Sequence, residues 1–238
     1  MQFEVLADAE VAAKTAAALV AAESRAAVSA RGRFILAVSG GTTPWSMLRS
    51  IADEKLPWEN IHVFQVDERA VPITDPERNV AHLRASLERA PLLPDHIHPM
   101  PLDSSDLGEA TMQYSRVLRE WAGSPVVLDL VHLGLGADGH TASLVPDDPV
   151  LDITQADVAI TRTYRAHRRM TLTYPIINRS RRILWLVTGG EKAEVLSRLY
   201  DGDPSIPAGR IRRDRAVVVA DRAAANRIAG NRKAEVRA

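Results

Sequence analysis

The chain has 238 residues, 30 basic and 30 acidic, with 46% hydrophobic side chains and no cysteine. That length and balance fit a globular α/β protein with a real core, and the absence of net charge excludes a global field that would hold it on nucleic acid or an anionic membrane. Without cysteine there is no disulfide, no thiolate nucleophile and no cysteine-ligated metal. The start, Met1-Gln2-Phe3-Glu4-Val5, lacks a basic segment followed by an apolar one, and no run approaches the roughly 20 apolar residues of a membrane helix. The expectation is a cytoplasmic protein with no nucleic-acid or membrane partner, either a monomer or a weak homodimer.

Phe3 to Leu6 suits a strand, and Asp8 then caps an alanine-rich stretch through about Ser29 whose composition favours helix. Arg33 to Val38 reads as a second strand, stopped by Ser39-Gly40-Gly41. Pro44 stands where a helix begins, and Trp45, Leu48 and Ile51 supply an apolar stripe at helical spacing. Ile61 to Val66 is a strand, followed by a polar loop and a helix from about Asn79 to Arg89. Leu107 to Trp121 reads as helix and Val126 to Leu133 as a strand broken by Gly134-Leu135-Gly136. Met170 to Thr173 and Ile183 to Val187 are strands, Glu191 to Leu199 a helix, and Ala216 to Ala220 a last strand. This alternation predicts a mostly parallel sheet covered on both faces, in one domain over residues 1–238, with ligands bound at the carboxyl ends of the strands. The polar tail from about Arg227 is expected to fray.

Four segments carry residues suited to chemistry. Ser39-Gly40-Gly41-Thr42-Thr43-Pro44 joins a strand to a helix and reads equally as a phosphate cradle or a tight turn. Asp67-Glu68-Arg69 follows a strand directly, where three charges are costly without a partner, and Asn79 starts the helix after it. Gly134-Leu135-Gly136-Ala137-Asp138-Gly139-His140-Thr141-Ala142-Ser143-Leu144 is the most informative. His140 is of the type that most often serves as general base, and Asp138 either orients its ring or binds a substrate hydroxyl. The fourth is Arg165 to Arg169 together with Gly189-Gly190-Glu191-Lys192, where an arginine at a strand entry, Arg169, and a lysine at a helix start, Lys192, are sensible phosphate-binding charges. His62, His82, His132 and His167 have no such surroundings and read as structural or surface. His96-x-His98 lacks a completing metal shell and is flanked by Pro94 and Pro99, so it reads as loop, and no metal site is expected.

The ordered set of Ser39–Pro44, Asp67–Arg69, Gly134–Leu144 and Arg169-Met170-Thr171-Leu172-Thr173 resembles the 6-phosphogluconolactonases, collinearly from the N-terminal strand to Asp221-Arg222-Ala223-Ala224. The resemblance implies a three-layer α/β/α sandwich with a mostly parallel, Rossmann-like central sheet, shared with glucosamine-6-phosphate deaminases and ribose-5-phosphate isomerases. It implies hydrolysis of 6-phospho-D-glucono-1,5-lactone to 6-phosphogluconate in the oxidative pentose phosphate pathway, with no cofactor. His140 would deprotonate water, Asp138 would orient His140 or hold a sugar hydroxyl, and Arg69 would serve the oxyanion or the phosphate. Lys192 and Arg169 would bind the phosphate, assisted by Gly40, Gly41 and Thr42, with Asp67 and Asn79 also contacting substrate. Arg78-Asn79 departs from the family's usual Ser-Asn and removes a hydroxyl.

Two other readings compete. A deaminase or isomerase of amino-sugar phosphates on the same fold would carry Asp-Glu-Tyr at positions 67–69 and a catalytic glutamate after the histidine. Here Thr141-Ala142-Ser143-Leu144-Val145-Pro146 supplies no acid. A non-catalytic sugar-phosphate sensor would need neither Asp138 nor His140 as a base.

Overall fold

The computed structural model describes residues 1–104 and 106–228. It begins with strand β1 (Gln2–Leu6), helix α1 (Ala9–Arg31), β2 (Phe34–Val38) and α2 (Thr42–Ala52). There follow β3 (Ile61–Gln65), β4 (Asp67–Arg69), α3 (Asn79–Ser86), β5 (Ile97–His98) and α4 (Leu107–Ala122). The second half holds β6 (Leu130–Leu133), β7 (Val158–Ile160), β8 (Arg169–Leu172) and α5 (Tyr174–Arg179). It closes with β9 (Arg182–Val187), α6 (Ala193–Asp201) and β10 (Ala216–Asp221).

Local chemistry accounts for the larger elements. Asp8 accepts a hydrogen bond from the Val11 amide at 2.9 Å, and Gly32 stops α1 in the left-handed region at φ 74°. β2, β3, β6 and β10 are buried along their whole length, as strands covered on both faces must be; β2 reads as an unbroken apolar run, while the others carry His62, Gln65, His132 and Asp221 among apolar residues. Alternate residues enter two cores. Phe34, Leu36 and Val38 pack with α1, α2 and α3, while Ile35 and Ala37 pack with residues of α4, α5 and α6. The three layers follow from that alternation.

The central sheet has the order β1-β10-β9-β6-β2-β3-β5, with every pairing parallel. From β2 the chain winds outward through β3 to β5, then returns to β6 on the other side of β2. The switch in winding direction therefore lies between β2 and β6, the place where open α/β sheets bind ligands.

Three expectations change. Asp67–Arg69 is a strand and not a loop: it pairs antiparallel with β8 in a separate sheet ordered β4-β8-β7. His96 to His98 is also more than loop, a short helical turn running into the edge strand β5. The strand expected over Val126–Leu133 forms only from Leu130, after a cis Ser124–Pro125 bond. The tail expected to fray from about Arg227 lies almost wholly in residues 229–238, outside the described residues. Among the described residues no helix is long and apolar enough to cross a membrane.

Candidate active site

Strands β2 and β6, neighbours at the switch point, deliver the Ser39–Pro44 and Gly134–Leu144 loops side by side. These loops wall an open cleft of about 1070 Å³. Gly40, Gly41 and Thr42 line it on one side, with Asp67, Arg69 and Asn79 beside them. His140, Arg169 and Lys192 line the rest. Of the sequence-predicted site residues only Asp138 is absent from the lining, and it bonds His140 instead.

His140 is positioned by its own loop. The Gly136 amide donates to the His140 carbonyl at 2.8 Å, closing the turn. A Cβ on Gly136 would lie 2.1 Å from His140 Nδ1, so the ring rests on bare backbone that only glycine allows. Asp138 Oδ1 holds His140 Nδ1 at 2.5 Å and also accepts the His140 amide at 3.2 Å. Facing a carboxylate, Nδ1 carries the proton, which leaves Nε2 as the basic nitrogen. Nε2 makes no hydrogen bond among the described residues. Burial on its own would raise the Asp138 pKa, but the charge of His140 and hydrogen bonds from Tyr164 and His140 outweigh it and bring it to about 2.

The small sheet sorts the charges by face. Asp67 and Arg69 alternate with Glu68, and the β4–β8 register sets Arg69 directly opposite Arg169 on the cleft side. Two guanidinium groups at opposed positions repel, so the pair is suited to a shared anion. Asp67 is the nearby counter-charge, with Oδ2 3.9 Å from Arg169 Nη1 and accepting from Ser143 Oγ at 2.6 Å. Arg169 Nε is buried with no hydrogen-bond partner among the described residues. Burial lowers the Arg169 pKa, Asp67 opposes that shift, and Arg69 reinforces it. Arg69 Nη1 is fixed by the Glu77 carbonyl at 2.7 Å and Asn79 Oδ1 at 3.3 Å, while Asn79 Nδ2 reaches the Asp67 carbonyl at 3.3 Å.

Glu68 points the other way and is wholly buried. It accepts from Gln65 Nε2 and from the amides of Arg69, Asn79 and Val80, thereby tying the start of α3 to β4. Arg78 is its counter-charge at 3.6 Å, also fully buried, and donates to the Val71 and Met100 carbonyls. Arg78 thus braces the wall from behind.

On the opposite side, the Asp221 carboxylate accepts the Gly189 and Ala224 amides and shapes the turn that presents Lys192. Gly40 approaches α3 so closely that a Cβ there would lie 2.4 Å from Asn79 Oδ1. Gly41 is the N-cap of α2 and supplies no side-chain cap, so the first-turn amides face the cleft without an internal acceptor.

Sequence reasoning missed Tyr164 and Glu68's inward role and read His82 as structural or surface, yet Tyr164 and His82 line the cleft, as does Arg165 at the start of the fourth segment. For Glu68 the period-two alternation of a strand was the available signal. Tyr164 and Arg165 lie at a hairpin tip whose backbone has positive φ at Arg165 and Ala166 without glycine, and no residue type marked it.

The chain is similar to known proteins along most of its length. Residues 7–220 match the family model described as glucosamine-6-phosphate isomerases/6-phosphogluconolactonase. The chain is 36% identical over 211 residues to a 6-phosphogluconolactonase of Synechocystis, covering 85% of this chain and 87% of the relative. It is 35% identical over 240 residues to the 6-phosphogluconolactonase of Mycobacterium tuberculosis, covering 94% and 97%. The crystal structure of a 6-phosphogluconolactonase from Thermotoga maritima superposes with a TM-score of 0.82 at 26% identity, covering 92% of this chain and 98% of that one. The chain belongs to the glucosamine-6-phosphate isomerase/6-phosphogluconolactonase family.

Proposed function

We propose that the protein hydrolyses 6-phospho-D-glucono-1,5-lactone to 6-phosphogluconate. The observation that carries this is a histidine pinned at Nδ1 by Asp138 and free at Nε2, set in a cleft lined by Arg69, Arg169 and Lys192. Nε2 of His140 takes a proton from water as the water attacks the lactone carbonyl. The tetrahedral oxyanion needs donors, each worth about 2.7–4 kcal/mol when well placed, and Arg69 or the amides near Gly41 supply them. Arg169 and Lys192 hold the phosphate, with Thr42 and the glycine turn beside them. Breakdown of the intermediate expels the ring oxygen, which takes up a proton and becomes the free hydroxyl of the sugar acid.

The deaminase reading is disfavoured by the same site. Position 69, where deaminases place tyrosine, is an arginine facing Arg169, and the loop after His140 carries no carboxylate through Pro146. The test is a coupled assay on freshly generated lactone, read faster than spontaneous opening. Hydrolysis well above background, with no ammonia released from glucosamine 6-phosphate, supports the reading. Release of ammonia without lactone opening would reverse it.

A further inference from the structure

We propose that Tyr164 is a positioning residue for the hydrolytic histidine, acting through the second oxygen of Asp138 from an element outside the His140 loop. The inference rests on the lactonase reading of the site. Tyr164 lies on the connection between β7 and β8, where it bridges to His167 around Arg165 and Ala166. Both turn residues hold left-handed backbone, φ 47° and 72°, without being glycine. Such conformations persist where surrounding contacts over-determine them. His167 Nε2 meets Glu77 Oε2 at 3.0 Å, and the Arg165 and Arg169 guanidinium groups lie over the Tyr164 ring at 5.2 and 5.4 Å.

Held there, the Tyr164 hydroxyl donates to Asp138 Oδ2 at 2.8 Å, and its ring meets the His140 ring edge-on at 5.5 Å. Burial and the Asp138 carboxylate push the phenol above its usual range, so it remains a donor at neutral pH. The geometry makes a three-member chain: Tyr164 fixes Oδ2, which fixes the carboxylate plane, which aims Oδ1 at Nδ1. Without the hydroxyl, Asp138 is free to rotate about its terminal torsion, and the imidazole loses its reference direction. The charged groups facing this chain are His140 within it and Arg165 and Arg169 over the ring, with Asp67 and Arg69 beside Arg169. Arg169, proposed to hold the phosphate, thus packs on the same ring that orients the base.

Tyr164→Phe keeps the ring, the guanidinium contacts and the edge contact, and removes only the donor. Loss of one charge-assisted hydrogen bond corresponds to about a tenfold or larger fall in kcat, with KM nearly constant. If Tyr164 acts only through Asp138, the same substitution added to Asp138→Asn costs almost nothing further. A readout independent of substrate is the His140 Nδ1 proton resonance. It should lie far downfield in the wild type and move upfield or broaden in Tyr164→Phe. Unchanged kcat together with an unchanged resonance in folded Tyr164→Phe would overturn the proposal, as would a fully additive loss in the double variant. A wild type without lactonase activity would defeat the functional reading, while the resonance would still decide the role of Tyr164.

Discussion

Lys192 and Arg69 both put a fixed charge on the cleft, yet their supports differ and so do their expected roles. Lys192 caps the start of α6 beside the Gly189–Gly190 turn and makes no ion pair among the described residues. An ammonium on a flexible stem, held by no ion pair, contributes affinity for a dianion more than it contributes orientation. Lys192→Ala should therefore raise KM and weaken binding of 6-phosphogluconate, with added salt reproducing part of the effect in the wild type. A variant that binds the phosphorylated and the unphosphorylated acid as the wild type does would place Lys192 outside the site. Arg69, by contrast, is locked by Glu77 and Asn79 and forced against Arg169 by strand register. Arg69→Met should abolish most activity in a folded protein. A fall in kcat at constant KM assigns it to the oxyanion, and a rise in KM alone assigns it to the phosphate. Unchanged kinetics would remove it from both.

At the level of elements, the turn from Gly136 to His140 is the part whose geometry tolerates least. A methyl group on Gly136 has nowhere to go but into the imidazole, 2.1 Å away. Gly136→Ala should thus cost nearly as much activity as loss of the histidine, with little change in melting temperature. Gly134→Ala, where an added carbon meets nothing within 4 Å, is the matched control. Comparable activity in the two variants would show that the ring is not seated on this turn.

The same scale explains what was readable in the chain. Buried strands such as Phe34–Val38 and helices such as Leu107–Ala122 announce themselves by apolar runs or helical periodicity. The collinear loops between them marked His140, Asp138 and Lys192 as candidates because each follows a strand or starts a helix. β4 escaped notice because Asp-Glu-Arg has no strand propensity and forms only by pairing with β8, 100 residues later along the register. β7, three residues long, is held the same way. The contacts of Tyr164 depend on that pairing too, which is why no local pattern disclosed them.

Across the whole molecule, the switch between β2 and β6 collects the cleft, while the far edge of the sheet stores a pH dependence. His62, His96 and His98 crowd against Trp121 beside β3 and β5, with His62 Nδ1 and His98 Nε2 3.1 Å apart. Burial first, and then the neighbouring imidazoles, lower the pKa of His62 and of His98 to about 4, against the opposing pull of Asp95. His132, buried in β6, is lowered to about 3 by burial alone. The unfolded chain, with ordinary histidines near 6.5, binds more protons than the folded one between these values. The histidine contribution to stability is therefore full above about pH 6.5 and lost progressively as pH falls toward 4. Denaturant titrations at pH 7.5 and 4.5 should show a clear drop in midpoint at the lower pH. A flat or rising midpoint across that interval would contradict neutral, buried His62, His98 and His132.

The central claim is that His140 Nε2, with Asp138 fixing the other nitrogen, activates the water that opens the lactone. The most direct measurement is turnover of His140→Ala on freshly generated 6-phosphogluconolactone, alongside a binding isotherm for 6-phosphogluconate. The account predicts a fall in kcat of about 100- to 10,000-fold, the range for removing a general base, with product affinity nearly intact. Wild-type turnover by the folded variant would contradict it.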